Sequence, residues 1–191
     1  LSNTVYTATF TPYTDSTTDG NIQVANDQFS DAAGNFNQDE SDADNTVAFT
    51  VDTVRPIIAL DSDVNDLRVG DTAVITFTLS EASDDFIKSD VSVSGGELSD
   101  WTSVSSTSYT ATFTPAADST TDGIVHVAND QFSDAAGNTN QDESDADNTV
   151  NLTINTTAPS PPVDSNSDGF VDNVSHYQLL RDGLAIDLTK R

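Results

Sequence analysis

Tyr109-Thr-Ala-Thr-Phe-Thr-Pro115 puts an aromatic or apolar side chain at every second position, with threonine between. A period of two is the mark of a β-strand with one buried and one wet face. The same seven residues stand at Tyr6 to Pro12, and Asn129-Asp-Gln-Phe-Ser-Asp-Ala-Ala-Gly-Asn138 stands again at Asn26 to Asn35. The offset is 103 residues throughout, and 39 of the 51 positions in 1–51 match 104–154. Internal repetition of this kind sets the organisation before any local reading does. Residues 1–51 read as the back half of a repeat and 52–155 as a complete one. A further segment, 156–191, opens with Thr157-Ala-Pro159 in the place of Val54-Arg-Pro56 and then departs from the pattern.

Other stretches of the complete unit alternate in the same way. Ala73, Ile75, Phe77 and Leu79 interleave with Val74, Thr76 and Thr78, and Val150, Leu152 and Ile154 interleave with Asn151 and Thr153. Val125 and Val127 face one side; Ile124, His126 and Ala128 face the other, with His126 exposed. Adding Ile58/Leu60, Val91/Val93 and Leu98/Trp101/Val104 gives seven short strands separated by Gly, Asp, Asn and Ser turns. The expectation is an all-β fold of Greek-key β-sandwiches in tandem, with Trp101 at least partly buried. The copies support the facing: Ile22, Phe49 and Val51 become Val125, Leu152 and Ile154, whereas Gln23 and Ala48 become His126 and Asn151. In the half copy, strands are expected around 4–11, 21–26 and 46–51. They carry Tyr6, Phe10, Ile22 and Phe49 on a face that needs a partner sheet. Further chain or a neighbouring molecule, adding strands by β-augmentation, would cover it.

Across 191 residues there are 32 Asp+Glu against 6 Lys+Arg, a formal net charge of −26, and 35% of residues are hydrophobic. A surface of that sign repels the phosphate backbone of nucleic acid and an anionic membrane alike. No apolar run reaches the ~20 residues of a membrane span, and no basic–apolar signal segment opens the chain. With residue 1 inside a repeat, that bears little on the parent protein. Cysteine is absent, so disulfides, thiolate metal sites and thiol nucleophiles are excluded. A small acidic β-domain then needs another staple, and a hard cation held by carboxylates supplies one.

The acids gather at turns. In a sandwich of this kind the loop Asp134–Asp147 lies at the same pole as Asp52 and beside Glu81. The Asp15–Asp19 turn of the half copy faces the linker. Asp19, Asp52, Glu81 and Asp134 are therefore expected to converge on one junction as ligands of Ca²⁺, which takes six to eight oxygens in irregular geometry. The unit 52–155 holds 19 acids and 3 bases, net −16, which favours a counter-ion over plain solvation. A second expected calcium loop is Asp164-Ser-Asn166-Ser-Asp168-Gly-Phe170-Val-Asp172. It has oxygens at positions 1, 3, 5 and 9, the Phe170 carbonyl at 7 and glycine at 6. It lacks the EF-hand glutamate at position 12, which is Ser175, and Pro159, Pro161 and Pro162 forbid a preceding helix. A hairpin is expected after it, around Tyr177–Leu188. The Thr-x-Thr-x-Thr runs read as the wet face of a strand, not an ice-binding array. No nucleophile setting is present, and the two histidines are not spaced for a transition metal.

Asp52-Thr-x-x-Pro56, Thr76-Phe-Thr-Leu-Ser-Glu81, Tyr109 to Pro115 and Phe132-Ser-Asp-Ala-Ala-Gly-Asn138 together resemble the bacterial Ig-like repeats of giant surface proteins. These include the extender regions of type I-secreted RTX adhesins and biofilm proteins. The resemblance covers 52–155 fully and 1–51 as a half copy. It implies a non-enzymatic stalk outside the cell, its neighbouring repeats stiffened by calcium, with Asp52, Glu81 and Asp134 as ligands carried over. Asn155 stands at the Asp52 position of the next junction, so a site there is weaker or absent. The competing expectations are a carbohydrate- or protein-binding adhesin module and, behind it, a carboxylate hydrolase.

Overall fold

The computed structural model describes residues 4–38, 44–142 and 146–159. The calcium loop expected at 164–172 and the hairpin after it lie outside the described residues. Contacts divide the chain into two compact units, Leu1–Thr156 and Thr157–Arg191. The described residues form β-strands and a short 3₁₀ turn, Lys88–Asp90, with no α-helix.

In the complete repeat, two four-stranded sheets face each other. One runs β3 (Ile58–Ser62), β5 (Ala73–Leu79), β8 (Ser108–Pro115), β7 (Gly96–Ser105); the other runs β4 (Asp66–Arg68), β10 (Thr149–Asn155), β9 (Gly123–Val127), β6 (Val91–Ser94). All neighbours are antiparallel except β4 and β10. The alternation read from sequence decides which side chains face inward: Ala73, Ile75, Phe77 and Leu79 of β5, Tyr109, Ala111 and Phe113 of β8, and Val150, Leu152 and Ile154 of β10 are all buried. The chain passes from β6 in one sheet to β7 in the other through Gly95-Gly96. Gly95 has φ +73°, and a Cβ there would lie 2.6 Å from the Asp122 carbonyl oxygen; one on Gly96 would strike the Thr114 carbonyl.

The sandwich has eight strands where the sequence shows seven. The extra one, β4, buries Leu67 between charged neighbours and pairs Asp66–Arg68 with Thr153–Asn155. A three-residue strand is too short to display a period. Trp101 is half-buried, its ring 5.2 Å from Phe77, 5.3 Å from Phe86 and 5.8 Å from Tyr109. His126, expected exposed, is half-buried, its Nδ1 2.9 Å from Thr149 Oγ1.

The half copy forms β1 (Gly20–Gln23) paired with β2 (Thr46–Phe49), the equivalents of β9 and β10. The strand expected at 4–11 does not form. Its counterpart β8 bonds only to β5 and β7, and the equivalents of those strands are not in residues 1–51. The consequence is a face of core residues turned to solvent. Tyr6 is 86% exposed where Tyr109 is 6%, and Phe29 is 62% where Phe132 is 1%. Phe10 stacks on Phe49 with centroids 4.6 Å apart.

Phe86, in the β5–β6 loop, is the hub of the aromatic core, 5.1 Å from Tyr109 and 5.0 Å from Phe132 as well as against Phe77 and Trp101. Phe86→Ala should lower the stability of the sandwich by ~3–5 kcal/mol through transfer loss and cavity together. Urea unfolding followed by Trp101 fluorescence measures this; a loss under ~1 kcal/mol would mean the loop is not part of the core.

Candidate metal centre

Three loops meet at the pole where β3 begins, β5 ends and β9 leads into β10. Asp52 comes from the chain entering β3, Glu81 from just after β5, and Asp134 from the β9–β10 connection. One carboxylate oxygen from each lies within 4.8 Å of the other two. Asp134 is buried, and Asp52 and Glu81 are half-buried.

The Asp134 loop is built locally. Asp134 Oδ1 accepts hydrogen bonds from the Ala136 and Asn138 amides at 2.8 and 2.9 Å, and Oδ2 accepts from Asn138 Nδ2 at 2.8 Å. Gly137 supplies the left-handed turn, φ +90°, that closes the loop. Asp31, Ala33, Gly34 and Asn35 repeat this in the half copy, with bonds of 2.9, 2.9 and 2.8 Å. The loop therefore needs no sandwich to take its shape. Burial pushes the Asp134 carboxyl up, but the donors of Asn138, Ala136 and Gly137 outweigh it and keep the group below the ordinary aspartate value.

The sandwich sets where the loop sits. Phe132 plugs the core, and fully buried Asn140 accepts from the amides of Gln131 and Phe132 at 2.7 and 3.1 Å while donating to the Ala128 carbonyl at 2.9 Å. Asp85 accepts from the Ser133 amide at 2.8 Å and the Ser133 hydroxyl at 2.6 Å. From the other side, Asp142 Oδ1 accepts from the Ile58 amide at 3.0 Å, and Asn138 Nδ2 reaches the Asp52 carbonyl at 3.3 Å. Arg55 is engaged by Asp130 at 3.5 Å and by Thr139.

Glu81 is the unusual member. Its Oε1 is buried and has no hydrogen-bond partner. Burial raises its carboxyl above the ordinary glutamate value, and the charges of Asp52 and Asp134 raise it further. A carboxylate with a buried, donorless oxygen, clustered with two more carboxylates, is a costly arrangement until a cation shares it. The donor set is all oxygen and all anionic. That suits a hard divalent ion such as Ca²⁺ and offers nothing to a soft one.

Of the four residues expected at this junction, Asp52, Glu81 and Asp134 come together and Asp19 does not. Asp19 Oδ1 accepts from the Val51 amide at 3.3 Å, a bond that secures the end of the last strand instead. Asp164, Asn166, Asp168, Phe170 and Asp172 lie outside the described residues. Sequence reading missed Asp85, Asn138 and Asn140 as the groups that hold the loop. Asn35/Asn138 and Asn37/Asn140 are identical in the two copies, which is the signal that could have found the asparagines.

The sequence model of the bacterial Ig-like domain matches residues 1–49 and 52–154. The chain belongs to the bacterial Ig-like domain family. No curated protein matches it. Bacterial Ig-like domains are typically non-enzymatic, surface-exposed modules of structural or adhesin type. Among the described residues no helix is long and apolar enough to cross a membrane. The complete match begins at Asp52, so this bacterial Ig-like domain carries the first of its three clustered acids at its first matched residue.

Because Glu81 is raised by burial and by like charges, Glu81→Gln should stabilise the protein in chelator, giving a higher melting temperature than the unaltered chain. The same substitution should reduce any stabilisation by added calcium. Paired thermal melts in chelator and in millimolar calcium test both signs; a variant less stable in chelator would show that Glu81 is compensated within the protein.

Proposed function

We propose that this chain is a load-bearing segment of a secreted bacterial surface protein, in which Ca²⁺ shared by Asp52, Glu81 and Asp134 stiffens the passage from one Ig-like unit to the next. The observation that carries this reading is the buried, donorless Oε1 on the Glu81 carboxylate, a group that has an oxygen within 4.8 Å of one oxygen each of Asp52 and Asp134. Asp52 belongs to the linker, and Glu81 and Asp134 belong to the sandwich. An ion held by all three ties the linker to the domain it enters. Calcium requires six to eight oxygens, so main-chain or amide oxygens of the same loops, with water, would have to supply the remainder. Three carboxylates converging on one point suit a shared cation. A glycoside hydrolase instead sets two carboxyl groups on either side of a scissile bond, ~5 Å apart or more.

The exposed apolar face of residues 4–50 belongs to the same reading. Its equivalents in 52–155 are covered by β3 to β7, so its cover is a set of strands with the pattern of residues 58–105, from a further repeat or a neighbouring molecule. Prefixing a copy of residues 52–103 to residue 1 should abolish the binding of a hydrophobic dye that this face supports. Undiminished dye binding would remove that part of the proposal.

For the metal, calorimetric titration of the 191-residue chain should detect calcium at the Asp52–Glu81–Asp134 site. At a hundredfold excess over Kd the ion adds about 2.7 kcal/mol of stability. Replacing Asp52 and Asp134 together with asparagine should eliminate that increment while leaving the sandwich folded. Small-angle scattering of the unaltered chain should show a longer end-to-end dimension with calcium than with chelator. Identical melts and identical profiles in the two buffers would leave the acids as solvation alone.

A further inference from the structure

Thr53, next to Asp52, is tied in the opposite direction. Its amide donates to the Ser16 carbonyl at 3.0 Å, its Oγ1 accepts from the Ser16 amide at 3.0 Å, and its hydroxyl donates to the Tyr13 carbonyl at 2.7 Å. Ser16 sits in the turn that precedes β1, opened by Asp15 in the left-handed conformation at φ 51°. The set recurs 103 residues later. The Thr156 amide donates to the Ser119 carbonyl at 2.9 Å, Thr156 Oγ1 accepts from the Ser119 amide at 2.9 Å, and its hydroxyl donates to the Ala116 carbonyl at 2.6 Å. Asp118 repeats the left-handed φ at 52°, and Asp122 takes the Ile154 amide as Asp19 takes that of Val51.

The two settings share the turn and differ in what lies beyond it. The first turn belongs to a half copy with an open face, and the second to a complete sandwich. Asp52 becomes Asn155, so the acid at the start of the triad has no counterpart at the second position. The threonine contact keeps its geometry all the same. It does not depend on the Asp52 carboxylate or on a finished core.

We propose that the turn at Asp15–Asp19, and again at Asp118–Asp122, is a docking socket for the leading threonine of the segment that follows, forming a half-joint independent of calcium. A β-hydroxyl both donates to and accepts from the turn, and the backbone amide beside it closes the pair. Serine can therefore replace threonine, and valine, of the same shape, cannot. Every donor and acceptor of the threonine contact itself is neutral, so that contact needs no cation and withstands chelator. The chain leaving each copy is held to that copy by threonine, and the preceding residue is left to engage what comes next. At the first junction that residue is Asp52.

Amide hydrogen exchange of the 191-residue chain in chelator tests this, because each socket is the internal control for the other. The Ser16 and Ser119 amides should both be protected in the unaltered protein without calcium. Thr53→Val should speed exchange at Ser16 roughly tenfold or more and leave Ser119 unchanged, since the lost acceptor is local. Thr156→Val should do the reverse, and Thr53→Ser should keep Ser16 protected. An unchanged Ser16 rate in Thr53→Val would overturn the proposal. So would a Ser16 amide that is unprotected in chelator and protected only in calcium, which would make the joint metal-dependent. Absence of calcium binding with protected serines would sink the metal reading and leave the socket standing.

Discussion

Where the Asp134 loop sits depends on two side chains of the β9–β10 connection that are driven into the sandwich. Phe132 fills the end of the aromatic core around Phe86, and Asn140 satisfies the backbone groups that this insertion would otherwise strand. Almost everything at the linker pole follows from that anchorage. It brings Ser133 to Asp85, Asp142 to the first amide of β3, and Asp134 to the point where Glu81 and Asp52 already stand. Without it, the carboxylates would repel one another into solvent.

The two copies act as a natural control on what is local. Asp31 in the half copy and Asp134 in the complete one bind the same three donors of their own loops. The first stands on an open face and the second in a closed sandwich, so the loop is specified by its own residues. The convergence of three acids is not local. It needs β5 to deliver Glu81 and the linker to deliver Asp52. A cluster assembled from loops so far apart in sequence, with an uncompensated buried oxygen in it, opposes folding unless a ligand repays it.

Adjacent linker residues divide the work of a joint. Thr53 faces back to the turn before β1 through neutral hydrogen bonds, and Asp52 faces forward to the sandwich through charge. The backward tie is built from groups whose protonation is fixed. The forward side adds to the Asn138–Asp52 carbonyl bond three carboxylates whose mutual repulsion a cation would relieve. If the proposed ion binds, a linker arranged in this way would respond to calcium on one side and not on the other.

The sequence by itself determined the all-β class, the repeat and its offset, and the inward face of nearly every strand. Those follow from a period of two and from comparing residues 103 apart, both of which are properties of the chain alone. It also placed Asp52, Glu81 and Asp134 at one pole, because strand order fixes which loops share an end. Only the tertiary structure decided the rest. Leu67 makes a strand too short to show periodicity, and the Tyr6–Phe10 stretch, written like β8, does not form a strand because the equivalents of its neighbouring strands are not in residues 1–51. Asp19 looked equivalent to the other acids by charge and position, yet it stands outside the cluster and accepts from the Val51 amide. Charge pattern tells which end of a sandwich an acid occupies; which donor it meets there depends on angles and distances that only the packed backbone sets.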